Sequence, residues 1–282
     1  SPGLVLGTLF FAAALTPSLV PRNFLTQGAL AGACLAVGYG LGAAGHWLWT
    51  YLDVREPTGR SARLVHMVSL LLCAAIAVAV LLAAFLIYAG SYYHADETAL
   101  SVLDAPGVTH TDGTIVLTPE GACDTGLVFY PGGKVQAEAY LPLLQRLQKA
   151  GIQCVLVKMP LRFAFFNANA ASTVIARYPN IQHWYVGGHS LGGAMASSWA
   201  AKHPDDFDGL VLLGAYVYGD VPAEKSLVLY GTEDGVLSRD KLSGGPNEQV
   251  IPGGNHAQFG NYGAQKGDRT ATITSAAQIG RA

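Results

Sequence analysis

The sequence predicts an α/β fold, a mostly parallel sheet flanked by helices, preceded by transmembrane helices. Three observations predict it. Residues 1–93 are dominated by Ala, Leu, Val and Gly, whereas from Asp96 onward the composition is that of an ordinary globular domain. In this second part, short apolar runs alternate with stretches of helical period, the pattern of strands joined by crossover helices. The apolar runs lack polar alternation, which is expected of strands covered on both faces. The expected organisation is a membrane region, 1–93, followed by an α/β domain, 94–282.

The chain has 282 residues, a net charge of −2 and only 13% charged residues. Its mean hydropathy of +0.31 is high for a wholly soluble protein. The near-neutral charge gives no reason to expect nucleic acid as a partner. The chain starts at Ser1 and stops at Ala282 in what reads as an unfinished helix, so the natural protein is expected to extend past one or both ends.

The clearest span is Met67 to Tyr88, with no charge over 22 residues. That is long enough for a hydrocarbon core of about 30 Å. Tyr88, Tyr92 and Tyr93 follow as an interfacial aromatic belt. A second span runs from Gly28 to Trp49. Its pairs Gly28/Gly32 and Gly38/Gly42 have the four-residue spacing that lets helix backbones approach in lipid. A shorter segment, Leu4 to Val20 with Pro17 inside it and Pro21 after it, spans or re-enters, spanning being favoured. Arg55, Arg60 and Arg63 lie between the second and third spans, and no Lys or Arg follows the third until Lys134. The positive-inside rule then places the arginines in the cytoplasm and the α/β domain outside it, with Arg22 a minor exception. A multi-pass protein of the cell membrane is expected.

In the α/β domain, strands are expected at Thr114–Thr118 (an outer strand), Leu127–Tyr130, Ile152–Met159, Trp184–Val186, Leu210–Leu213, Leu227–Tyr230 and near Val250. Helical stretches are expected at Glu138–Ala150, up to Tyr178, and at Leu191–His203. Cys34 and Cys73 fall in apolar segments. Cys154 lies inside a strand and Cys123 ahead of its neighbour. That offset of about five residues, or roughly 16 Å, argues against a disulfide.

The sharpest signal is Gly188-His189-Ser190-Leu191-Gly192, between the strand HWYVGG and the helix LGGAMASSWAAKH. This is the context of a G-x-S-x-G nucleophile elbow, the hallmark of the α/β-hydrolase fold, and it nominates Ser190 as nucleophile. An acid and then a histidine should follow. Asp234, in YGTEDG just past the strand LVLY, is the expected acid, with Glu233 the competing carboxylate. His256, in PGGNHAQFG, alone of the eight histidines follows the acid and is the expected base. His189 is expected to pack structurally. The oxyanion hole should use the Leu191 amide together with that of Gly133 or Lys134 in the loop YPGGKV.

Together FYPGGKV, GGHSLGGAMA, YGTEDG and GGNHAQFG resemble the compact, lidless, membrane-anchored α/β-hydrolases of bacteria, over residues 92–275. The stretch LTPSLVPRNFLTQGALAGACLAVGYGLG resembles the N-terminal membrane region of some actinobacterial α/β-hydrolases. The resemblance implies a Ser-Asp-His triad on Ser190, Asp234 and His256. It does not imply a substrate, because this fold hosts many chemistries.

Only Ala215 to Lys225 separate two strands at the usual place for a lid, so the site is expected to be open. Phe163, Phe165 and Phe166 are candidates for one wall, and Phe259 and Tyr262 for another; packing is an equal explanation for all five. An uncharged short or medium acyl group is the expected preference. The small-molecule or lipid-like acyl substrate would be cleaved through an acyl-enzyme. Acyl transfer, amide cleavage and a non-catalytic, ligand-binding role are the alternatives. No metal cluster, dinucleotide fingerprint or Walker loop is visible, so no cofactor is expected.

Overall fold

In the computed structural model the described residues are 2–15, 24–53, 58–111 and 113–281, with side chains in the second helix described from Gly28 onward. The chain divides into two units, Ser1–Gly90 and Ser91–Ala282. Pro17, Pro21, Arg22 and Arg55 lie outside the described residues, as do residues 16–20 of the first expected span.

The first unit holds α1 (Pro2–Ala14), α2 (Phe24–Tyr51) and α3 (Gly59–Gly90). At 1.5 Å per residue, α2 is about 42 Å long and α3 about 48 Å. Both are long and apolar enough to cross a membrane. The described α1 covers only about 20 Å. Arg60 and Arg63 lie in the first turns of α3 rather than in a loop. Gly38 and Gly42 line the α2 face that meets α1. A Cβ on Gly38 would stand 2.6 Å from the Leu6 carbonyl oxygen, and one on Gly42 would run into Gly3. Gly28 and Gly32 share the spacing but face open space. The glycine spacing alone therefore did not say which pair would be used.

The second unit contains the strands β1 (Val108–His110), β2 (Thr114–Leu117), β3 (Thr125–Tyr130), β4 (Gln153–Val157), β5 (His183–His189), β6 (Gly209–Leu213), β7 (Ser226–Gly231) and β8 (Glu248–Ile251). Its helices are α4 (Glu97–Leu100), α5 (Leu141–Lys149), α6 (Ala170–Arg177), α7 (Leu191–Ala200) and α8 (Ser275–Ile279). The sheet order is β1-β2-β4-β3-β5-β6-β7-β8. The β1–β2 and β2–β4 pairings are antiparallel, and the other five are parallel. Thr114–Leu117 is therefore not outermost, because β1 covers it. Three residues, VTH, are too few to show a strand period.

Alternate residues of each strand feed two cores. Leu127 and Phe129 of β3 face the layer that holds α5 and Ile279 of α8. Val128 and Tyr130 face Val174 of α6 and Trp199 of α7. Burial on both faces is why the strands read as continuous apolar runs. The four cysteines are free thiols. Cys123 Sγ donates to the Thr125 and Gly151 carbonyls, and Cys154 is buried opposite Leu127.

The chain leaves β3 toward β4 on one side and returns to β5 on the other. This makes the carboxyl ends of β3 and β5 a topological switch point, where α/β sheets place their ligands. Tyr130 pairs with Gly188, so the loop after β3 and the elbow after β5 lie side by side.

Candidate active site

Ser190 sits between β5 and α7 with φ 52° and ψ −122°. A non-glycine residue there costs of order 1–3 kcal/mol, which the surroundings must offset. Part of that support is the Ser190 amide, which donates to the Leu213 carbonyl of β6 at 3.0 Å. The flanking glycines are steric necessities. A Cβ on Gly188 would lie 2.6 Å from the Tyr130 carbonyl oxygen, and one on Gly192 would strike the Tyr130 and Pro131 carbonyls. The first amides of α7 have no intrahelical acceptor and point their dipoles at the elbow.

His256 Nδ1 lies 2.9 Å from Asp234 Oδ2, with both side chains buried. Asp234 Oδ1 accepts from the Val236 and Leu237 amides at 3.0 and 2.8 Å, which fixes the carboxylate. This arrangement requires Nδ1 to carry the proton and leaves Nε2 as the basic atom. His256 Nε2 is buried and makes no hydrogen bond among the described residues. Glu233 instead accepts from its neighbour Thr232 at 3.1 Å, and Asp234 is the carboxylate that meets His256.

Three supports of this pair went unread in the sequence. Asp268 Oδ2 accepts the Ala257 amide at 2.8 Å, while its Oδ1 accepts the Gly235 and Arg269 amides at 3.0 Å each. One carboxylate thus ties the turn after Asp234 to the turn after His256. Gln278 of α8, fully buried, clamps the backbone of Asn255 from both sides. Its Oε1 accepts the Asn255 amide at 2.9 Å, and its Nε2 donates to the Asn255 carbonyl at 2.7 Å. The Arg239 guanidinium donates to the Gly231 carbonyl at 3.2 Å and to that of Thr232 in the acid loop. No local spacing announces Asp268 or Arg239. The lone Gln in the apolar turn SAAQI was the one readable signal.

The loop after β3 is fixed from beneath. Tyr140 Oη accepts the Gly132 amide at 3.0 Å and lies 2.7 Å from His189 Nδ1. Burial raises the Tyr140 phenol and keeps it protonated. Tyr140 and His189 therefore share this hydrogen bond as neutral partners. Burial, and then the neighbouring His256, push His189 well below the ordinary imidazole value, so it stays neutral. The His189 and His256 rings lie 4.4 Å apart between centroids. Gly133 abuts Leu191, with a Cβ there 2.9 Å from Leu191 Cδ2. Lys134 is a correction to the sequence expectation. Its amide donates to the Arg162 carbonyl at 2.9 Å, which leaves Gly133 as the free choice beside Leu191.

The expected walls divide. Phe165 and Phe166 are 48% and 49% exposed, with ring centroids 4.5 Å apart, while Phe163 is nearly buried beside them. Phe259 is fully buried and Tyr262 nearly so, in the core around Tyr140. Neither offers an open wall. Their apolar character serves packing beneath His189, whose ring lies 5.8 Å from that of Phe259. The Gly214–Lys225 connection carries only one 3-10 turn, so no cap is built there.

A strand–elbow–helix serine at the switch point of a mostly parallel sheet defines the α/β-hydrolase fold. Comparison with known proteins agrees. The family model described as "Alpha/beta hydrolase family" matches residues 126–280, more than half of the chain. The chain belongs to the alpha/beta hydrolase family. A second model, "Alpha/beta-hydrolase family N-terminus", matches residues 15–88. No curated protein matches the chain. Among solved structures, a thermostable carboxyl esterase from Bacillus coagulans is 18% identical, with a TM-score of 0.33, over 39% of this chain and 43% of that one. The chain thus spans less than half the length of that esterase. Est1E from Butyrivibrio proteoclasticus is 14% identical, with a TM-score of 0.43, over 53% of this chain and 90% of that one. A dienelactone hydrolase from Anabaena variabilis is 21% identical, with a TM-score of 0.39, over 51% of this chain and 81% of that one.

Proposed function

We propose that this hydrolase cleaves carboxylic esters through an acyl-enzyme on Ser190, with Asp234 and His256 completing the triad, and that the first unit tethers it to a membrane. The observation that carries the reading is the buried 2.9 Å contact between His256 and Asp234, with Nε2 left without a hydrogen-bond partner among the described residues, in a chain whose elbow serine Ser190 has a positive φ.

In this mechanism His256 Nε2 takes the Ser190 Oγ proton as Oγ attacks the acyl carbonyl. Asp234 stabilises the imidazolium that forms and does not itself become protonated. The Leu191 and Gly133 amides receive the tetrahedral oxyanion. His256 then protonates the leaving alcohol. Water enters, His256 removes its proton, and the acid is released with Ser190 restored. Phe165 and Phe166 supply apolar contact for an uncharged acyl chain.

The test is fluorophosphonate labelling of the full chain in its membrane, followed by kcat/KM across acyl lengths for wild type and Phe165→Ala. Labelling at Ser190 and a chain-length preference that weakens in Phe165→Ala are expected. Turnover of peptides alone would refute the ester reading.

Three membrane-spanning helices are proposed, with Arg60 and Arg63 on the cytoplasmic side and the α/β domain outside the cytoplasm. Ser101 is exposed and lies in the second unit. In a Cys123→Ala background, Ser101→Cys should react with an impermeant thiol reagent on intact cells. Reaction only after lysis would place the domain inside.

A further inference from the structure

At the carboxyl edge of β3 and β4 lies a cleft of about 430 Å³, lined by Tyr92, Pro131, Gln136, Glu138, Lys158 and Arg162 among others. It lies along the same sheet edge as Ser190. Its charges do not cancel. Glu138 is taken up by Lys158, with Nζ 3.4 Å from Oε1. Arg162 lies flat on Tyr92, its Cζ 3.3 Å from the ring centroid, and its guanidinium donates no hydrogen bond among the described residues. A guanidinium stacked on an aromatic face has lost most of its rotamer freedom, yet its planar donor fork remains available to a carboxylate or phosphate.

The backbone supports the same reading. Leu161 and Arg162 both have positive φ, 51° and 63°, and neither is glycine. Two such residues in succession persist only where the surroundings enforce them, and strain of this kind collects at functional sites. The Arg162 carbonyl accepts the Lys134 amide, so the strained turn is joined to the loop that carries Gly133. That loop is joined in turn to Tyr93, whose amide donates to the Lys134 carbonyl at 2.8 Å and whose carbonyl accepts the Gln136 amide at 2.9 Å.

We infer that this cleft holds an oxyanion, a phosphate or carboxylate borne by the alcohol part of the ester substrate, with Arg162 as its charged ligand. The inference rests on the reading of Ser190 as an ester-cleaving nucleophile. β4 stands two strand spacings from β5, about 10 Å, so the anion sits several bonds from the scissile carbonyl. Leu161, 42% exposed, precedes Arg162 in sequence and offers apolar contact beside the cation. The substrate is therefore amphiphilic. Tyr92 follows Gly90, the last residue of α3, by two residues, at most about 7 Å of chain. With α3 in a bilayer, a lipid headgroup is within reach as well as a soluble anion.

The test uses the full chain in detergent and a set of butyrate esters. Their alcohols carry, about 10 Å from the carbonyl, a phosphate, a carboxylate or a neutral methyl ester. Wild type should favour both anionic esters over the neutral one by about tenfold or more in kcat/KM, some 1.4 kcal/mol. That ratio should collapse toward one in Arg162→Met, invert in Arg162→Glu and recover in part in Arg162→Lys. Inorganic phosphate should raise KM for the anionic esters without changing kcat. A preference seen only when the esters are presented in phosphatidylcholine vesicles would identify a lipid headgroup, and one seen in solution a soluble anion. Equal kcat/KM for all three esters in wild type both in solution and in vesicles, or an anionic preference that survives Arg162→Met, overturns the inference. Fluorophosphonate labelling of every variant keeps the two readings apart. Wild type that labels but shows no anionic preference refutes only the cleft, whereas wild type that fails to label refutes the nucleophile and the cleft together.

Discussion

The two units use the same apolar residues in opposite ways. In the first, Leu71 and Leu81 of α3 are 63% and 66% exposed, and the tight contacts are between glycines of α1 and α2. In the second, the leucines of the strands are buried or partly buried in two cores. The first unit can bury its apolar surface only against something outside itself, whereas the second closes on its own core. Helices satisfy their own backbone hydrogen bonds, so the first unit needs no polar network to stand in an apolar medium. In the second unit, His189, Asp234, Asn255, His256 and Gln278 are buried polar residues at the elbow, the Asp234–His256 pair and their supports, while Gln148, Ser197 and Ser226 are buried polar residues that tie down loops elsewhere. The expectation is that chemistry and attachment can be damaged separately.

The largest separation should come from Ser190→Ala. It should abolish fluorophosphonate labelling and lower turnover by about 10⁴-fold or more, with the protein still in the membrane fraction. Asp234→Asn should cost about 10⁴-fold in rate by leaving His256 in the wrong tautomer, and Glu233→Gln should change it by less than about threefold. The reverse order of damage would transfer the acid role to Glu233. Next in size is Asp268→Ala, which frees the two turns that present Asp234 and His256. A loss of about ten- to hundredfold in kcat with KM nearly unchanged is expected, as small displacements of catalytic groups cost this much. An effect on KM alone would show that Asp268 does not position the pair.

In the first unit, Gly42→Leu should force α1 from α2 at a cost of about 1–3 kcal/mol. Cysteines placed on the facing turns would then lose their cross-linking, while ester turnover stays within about twofold of wild type. A collapse of turnover would mean that the units do not separate as the comparison requires. The smallest effect concerns His189. Its folded value is depressed below the unfolded value of 6.5, so the unfolded chain binds the extra proton. Its contribution is complete above pH 6.5 and is lost as pH falls from there toward the folded value. The slope is at most about 1.4 kcal/mol per pH unit. His189→Gln should flatten the acid limb of a stability–pH curve measured by denaturant titration, and an unchanged limb would place the sensitivity elsewhere.

Elements that repeat a physical signal were legible in the sequence. Five strands announced themselves as short apolar runs, and the elbow glycines as a spacing with only one steric explanation. Asp234 and His256 followed from chain order, and the structure brings their side chains together. What escaped was made by long-range contact. Asp268 is one acidic residue in the polar loop KGDRT, and its three amide partners become visible only once the loops fold over each other. Lys134 was an acceptable amide donor until the Arg162 carbonyl, 28 residues away in sequence, proved to occupy it. Phe259 and Tyr262 misled because aromatic residues after a catalytic histidine look alike in sequence whether they face a substrate or a core.

The clamp of Gln278 on Asn255 sets an order of events during synthesis. The elbow is made about midway through the second unit, but the turn that carries His256 is held by a side chain 88 residues after Ser190. At about 5–20 residues per second, roughly 4–18 s of translation separate the two. During that interval the chain presents a strained serine whose histidine is not yet anchored. If His256 is the base of the proposed mechanism, turnover is expected to wait until α8 docks and Gln278 closes on Asn255.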